Sequence, residues 1–219
     1  MVCSDFVFLR GVEMAHFAAV INEQEWFIDM ARLENDVRLL ITGAGHTYES
    51  WRPETAEISL HQFLVNALSL EMPVAIIYMG HSSENGWVYA TCEKFEYIEL
   101  AKCVAAQRIG RPTAIINDCC HASSIGQSFQ KTSFDRKNTI ALTAGIATRP
   151  SSSGETFESH HTYRVLDTWF NKKKPFNPFE WDDSVKDIGE GGEDSWEHWI
   201  REGPERFGPE EIDWYFINT

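Results

Sequence analysis

Two apolar runs in this chain end in side chains capable of acid–base or nucleophilic work: Pro73-Val-Ala-Ile-Ile-Tyr-Met-Gly-His81 and Arg111-Pro-Thr-Ala-Ile-Ile-Asn-Asp-Cys-Cys120-His-Ala-Ser123. Each reads as a strand buried on both faces that stops at a polar tip. Cysteine is a strong nucleophile only as its thiolate, and a nearby imidazole stabilises that form. In an open parallel sheet, ligands and chemistry collect beyond the carboxyl ends of the strands. A His after one strand and a Cys after another can therefore meet in space although they are far apart in sequence. Taken singly, each is equally well a buried strand-end residue; the pair is what points to chemistry. Adjacent Cys119 and Cys120 face opposite ways on a persisting strand, so at most one serves a given cleft. The same adjacency argues against a zinc site built from Cys119, Cys120 and His121. Gly80 leaves room for close backbone approach, and Ala122-Ser-Ser-Ile-Gly126 can open a helix whose N–H groups favour a thiolate and an oxyanion.

The elements that must position these tips alternate between strand and helix. Ser4–Arg10 reads as a first strand, and Met14 to about Asn35 as a helix, from Phe17, Val20, Ile21, Phe27, Met30 and Leu33. Asp36–Thr42 reads as a second strand stopped by Gly43-Ala-Gly45, and Thr55–Leu68 as a second helix. Val74–Met79 is the third strand, and Gly86–Ala90 a small exposed strand or hairpin. Tyr97–Ile109 is a third helix closed by Gly110, and Thr113–Asn117 the fourth strand. A fifth strand (Thr139–Ala144), a helix (Ser159–Phe170) and a last strand (Asp213–Ile217) complete the pattern. Repeated β-α units with near-continuous apolar strands predict a mostly parallel sheet covered by helices on both faces.

The chain has 219 residues, 43% of them hydrophobic, enough for one α/β domain with a real core. Its net charge of −14 argues against a nucleic-acid partner, whose phosphates it would repel. No apolar run approaches the ~20 residues of a membrane span. Five cysteines, an odd number, and a start with no basic n-region predict a reducing, cytoplasmic setting with free thiols. Residues 1–170 read as the main domain. Residues 171–219 read as an acidic, Trp-rich segment tied back by the last strand; from Glu180 to Thr219 there are 13 acids against 3 Lys or Arg. Asp182, Asp183 and Asp187 there match no EF-hand spacing.

Tyr78-Met-Gly-His81 resembles the Tyr-Ser-Gly-His-Gly motif of metacaspases and caspase-like peptidases, and Asp118-Cys-Cys-His-Ala-Ser123 resembles their Asp-x-Cys-His-Ser-Gly motif. The order, His after the third strand and Cys after the fourth, matches clan CD cysteine peptidases over roughly Asp5 to Phe170. The resemblance implies a three-layer caspase-like α/β fold with a six-stranded sheet. It also implies a cysteine endopeptidase in which Cys120 is the nucleophile and His81 its imidazole partner. The N–H groups of Ser82 and Cys120 would form the oxyanion hole, although Ser82 stands where the family has glycine. Asp118 would line the primary specificity pocket and select Arg or Lys, a charge-assisted match to guanidinium. Glu13 is a second acid that could join that pocket. Arg10 or Arg149 would instead serve an Asp-specific caspase-like alternative. Lys131, Arg136 and Lys137 stand in the linker where relatives process themselves. No cofactor is required by this reading, although calcium is a possible activator as in some metacaspases. The expected partner is a peptide or protein substrate, and the expected state a monomer. Two other readings stay open: an inactive caspase-like interaction module, supported by Ser82, and a flavodoxin-like thiol enzyme. The latter lacks a phosphate-binding turn, since Arg10-Gly-Val-Glu13 is not one.

Overall fold

The computed structural model describes residues 14–22, 30–89, 93–119, 121–144, 161–177 and 205–217. Its elements run β1 (His16–Ile21), α1 (Met30–Gly43), β2 (Thr47–Trp51), α2 (Leu60–Leu68), β3 (Val74–Met79), β4 (His81–Ser83), β5 (Gly86–Tyr89), β6 (Glu93–Glu96) and α3 (Tyr97–Gln107). They continue with β7 (Thr113–Asp118), α4 (Ser124–Gln130), β8 (Thr139–Thr143), α5 (His161–Phe170), β9 (Glu205–Phe207), a 3-10 turn (Glu210–Ile212) and α6 (Trp214–Ile217).

Six strands form one sheet in the order β2-β1-β3-β7-β8-β9, parallel throughout except for β9, which pairs antiparallel with β8. A separate three-stranded antiparallel sheet, β4-β5-β6, follows directly on β3. All six residues of β1, β3 and β7 are buried, as a parallel sheet covered on both sides requires. Alternate side chains divide the core in two. Ala18, Ile76, Tyr78 and Ile115 meet α2, α3 and α4 through Leu64, Leu100 and Ile125. Phe17, Ile77, Ile116 and Leu142 meet α1, α5 and α6 through Val37, Trp169 and Phe216. The expected mostly parallel six-stranded α/β sandwich is therefore present.

Three local expectations are corrected. His16–Ile21 is a strand, where Phe17, Val20 and Ile21 suggested a helix. A run that is apolar at nearly every position carries no period of its own, and pairing with β3 in register, His16 with Val74 through Ile21 with Met79, settles it. Asp36–Thr42 is the second half of α1 instead of a strand, because Leu33, Val37 and Ile41 make one buried stripe at four-residue spacing while Leu39 faces solvent. The neighbouring edge strand is Thr47–Trp51, too polar to announce itself. Asp213–Ile217 is helical, and the last strand is Glu205–Phe207. The expected first strand, Ser4–Arg10, lies outside the described residues.

Buried polar groups decide the C-terminal correction. The fully buried Asp213 carboxylate accepts from Trp169 Nε1 at 2.7 Å and from the Phe176 N–H at 2.8 Å, and pairs with Arg206. Its backbone carbonyl accepts from the N–H groups of Phe216 and Ile217, at 2.8 and 3.1 Å, which starts α6. Buried His46 clamps the same corner: Ala15 N–H donates to Nδ1 at 3.1 Å, and Nε2 donates to the Phe216 carbonyl at 3.0 Å. That geometry requires the neutral ring.

Two outcomes are expected. Asp213→Ala strands the buried Arg206 guanidinium, so the denaturant midpoint should fall by the equivalent of about 3–5 kcal/mol. Burial lowers the His46 pKa from 6.5, against the pull of the Phe216 carbonyl, and burial likewise lowers that of His161. A folded-state pKa below the unfolded one means the unfolded chain binds more protons as pH falls. Stability should therefore be complete above 6.5 and decline as pH drops below it, and denaturant titrations across that window should show a smaller decline for His46→Gln.

Candidate functional site

The central strands end level. β3 and β7 pair with Met79 opposite Asp118, and the Gly80 N–H extends the ladder to the Asp118 carbonyl at 3.4 Å. Neighbouring strands lie about 4.8 Å apart, so the chain leaves the sheet side by side at Met79–Gly80 and at Asp118–Cys119. His81 is exposed and opens β4, paired with Val88 of β5. The Tyr78 hydroxyl lies against its carbonyl and 3.0 Å from that of Val88. Gly80 is required at the bend, because a Cβ there would sit 2.7 Å from Asn22 Cβ and 3.0 Å from Tyr78 Oη.

On the other tip, Cys120 lies outside the described residues, while Cys119 and His121 on either side of it are described. Cys119 points into the core on the α2–α4 face, its sulfur 3.5 Å from Tyr97 Oη and 3.3 Å from Asn117 Oδ1. His121 adopts a left-handed backbone, φ 51°, and the chain enters α4 at Ser124. The Ser82 hydroxyl bonds the Tyr97 phenol, which burial keeps protonated far above its usual range. Asn117 joins Trp87, Tyr97, Cys119 and Ala122 in one buried network. Neither Asn117, Trp87 nor Tyr97 is a site candidate from sequence; the available signal was a lone carboxamide ending a β-branched run.

Asp118 lies on the opposite face. Its Oδ2 accepts from both the backbone N–H and the hydroxyl of Thr162, at 2.9 Å each, in the first turn of α5. Here the carboxylate acts at a helix N-terminus, where negative charge is stabilising. The adjacent His161 ring is fully buried, edge-on to Phe176, its pKa lowered by burial against the attraction of Asp118.

Lys131, Arg136 and Lys137 are exposed on the loop between α4 and β8. Asp135 holds that loop, accepting from Gly110 N at 2.9 Å, Lys137 N at 3.1 Å and Asn138 Nδ2 at 2.8 Å. Glu13, Arg10, Arg149, Asp182, Asp183 and Asp187 lie outside the described residues. Among the described residues no three His, Cys, Asp or Glu side chains cluster as a metal site, and no helix is long and apolar enough to cross a membrane. Among the described residues a Cys–His contact joins α3 to α2, Cys103 Sγ to His61 Nε2 at 3.7 Å. Burial and Glu99 push that thiol's pKa up, the opposite of what a nucleophile needs.

No family model and no curated protein matches the sequence. Solved structures do. Caspase-1 from Spodoptera frugiperda superposes with a TM-score of 0.58 at 10% identity, covering 90% of each chain. A protein from Geobacter sulfurreducens superposes with a TM-score of 0.54 at 12% identity, covering 94% of this chain and 97% of its own. Raptor from Chaetomium thermophilum matches at a TM-score of 0.41 and 13% identity, over 63% of this chain and 16% of its own length; a likeness that loose carries no argument. The fold is caspase-like.

The Asp118–Thr162 contact is measurable apart from any activity. Asp118→Ala should lower stability by about 1–3 kcal/mol through the orphaned donors. Asp118→Asn, which can still accept with one oxygen, should cost less in the same denaturant titration.

Proposed function

We propose that the chain is a cysteine endopeptidase using Cys120 and His81 to cleave after Arg or Lys. The observation that carries this reading is the register of β3 and β7, which end together on a caspase-like fold, one strand leading to His81 and the other to Cys120. The Cys120 thiolate adds to the scissile carbonyl carbon, and the resulting oxyanion takes N–H donors from Cys120 and from the Gly80–Ser82 bend. The C–N bond then breaks, and the His81 imidazolium gives its proton to the leaving amine. Water next loses a proton to His81 and adds to the thioester, releasing the acid and restoring the thiolate. Asp118, beside the strand tip, supplies the negative charge for a basic residue, with Glu13 as a second acid. Calcium enters this reading only as an activator. The protein works as a cytoplasmic monomer.

Self-cleavage in the loop holding Lys131, Arg136 and Lys137 would have to follow local opening, because a peptidase binds an extended segment and Asp135 ties this one into turns. It should therefore be slow beside cleavage of a peptide.

A second reading, a non-catalytic caspase-like interaction module, is favoured by one observation: the Asp118 carboxylate already serves Thr162. A positional-scanning peptide library separates the two. Wild type should cleave after Arg and Lys, Cys120→Ala should lose at least about a thousandfold of that rate, and Asp118→Asn should lose the basic preference. The same library with and without calcium reads the ion requirement. Wild type without activity under either condition, or a Cys120→Ala protein that still cleaves, overturns the peptidase reading.

A further inference from the structure

We infer that Asn117 is a positioning residue that fastens the small sheet opened by His81 to the turn at Ala122 that enters α4; its consequence for catalysis rests on the peptidase reading above. Asn117 is fully buried at the penultimate position of β7, where the neighbouring Ile115 and Ile116 are apolar. Its carboxamide has no idle capacity. Oδ1 accepts from Trp87 Nε1 at 2.7 Å and from the Cys119 thiol at 3.3 Å. Nδ2 donates to the Ala122 carbonyl at 2.9 Å and to Tyr97 Oη at 3.3 Å. The orientation of the amide is forced, because an indole N–H can only donate and a backbone carbonyl can only accept.

These partners belong to the two tips. Trp87 lies in β5, opposite Ser82 of β4, and stacks on Tyr78 at 4.5 Å between ring centres and 7° between planes. Tyr78 in turn bonds the carbonyl of His81. Ala122 lies two residues beyond Cys120 in the turn that enters α4. One side chain thus holds the small sheet and the turn at fixed separation, through bonds stiffened by burial. A buried carboxamide is costly unless every bond is made; all four are made here, and those to Trp87 and Ala122 link the small sheet to the turn that enters α4.

Asn117→Asp removes both Nδ2 donations, and Trp87→Phe removes the indole N–H together with part of the buried ring volume while keeping an aromatic ring against Tyr78. Hydrogen exchange read by peptide mass should show amides in 81–89 and in 121–126 exchanging faster together in Trp87→Phe, by at least about tenfold, one hydrogen bond being the smallest part of what is lost. Acceleration confined to 81–89, or none, overturns the coupling. On an Arg or Lys reporter peptide, kcat should fall about tenfold with KM unchanged in Trp87→Phe, and further in Asn117→Asp. A change in KM alone overturns the positioning role. An inactive wild type would end the peptidase reading, and the exchange experiment would still decide whether Asn117 couples the tips.

Discussion

Every feature of this protein that could do chemistry depends on the register of its central parallel strands. In a parallel ladder the chain cannot turn back, so consecutive strands must all finish at the same end of the sheet. β1, β3, β7 and β8 do so, and the pairing of Met79 with Asp118 brings two of those ends level. A shift of one residue would send every side chain of β3 or β7 to the wrong core. Burial on both faces forbids that shift, since each face is filled by its own set of helices.

At the opposite end of the same strands the register is held by a buried cation. Arg108, 1% exposed, donates to Thr113 Oγ1 and to the carbonyls of Leu68, Met72 and Pro112. Those carbonyls leave α2, precede β3 and precede β7, so one planar guanidinium with its five donors gathers the approaches to both strands. Burial, with Arg111 alongside, pulls its pKa down to about 10, which leaves it charged at neutral pH. The sheet therefore carries a charged clamp where the strands begin and a neutral carboxamide network where they end.

Among the described residues the two buried carboxylates, Asp118 and Asp213, both act on the α1–α5–α6 face. Asp118 bonds the first turn of α5, and Asp213 joins α5 to Arg206 and to the start of α6. On the other face, Asn117, Tyr97 and Cys119 at the strand tips are joined by neutral donors and acceptors, while the charged Arg108 sits at the far end where the strands begin.

Much of the site's framework was legible in the residues themselves. Val74–Met79 and Thr113–Asp118 are long apolar runs bounded by Pro and by polar tips, so β3 and β7 follow from local composition, as do α3 with its Gly110 stop and β8. The placement of His81 just after β3 follows from the same pattern. What the residues could not reveal was the identity of His16–Ile21 and the aromatic Trp214–Ile217, whose apolar content lacks a period, and of the second half of α1, where exposed Leu39 and its neighbour Leu40 blur the four-residue stripe of Leu33, Val37 and Ile41. Those were decided by partners, namely β3 for β1, the core stripe for α1, and the Asp213 carbonyl for α6. Sequence alone thus determined an alternating α/β chain with an imidazole and a thiol after two buried strands. Only the tertiary structure decided which face each of Asp118 and Asn117 serves, because the elements packed on the two sides of the sheet set their partners: Thr162 of α5 for Asp118, Trp87 and Ala122 for Asn117.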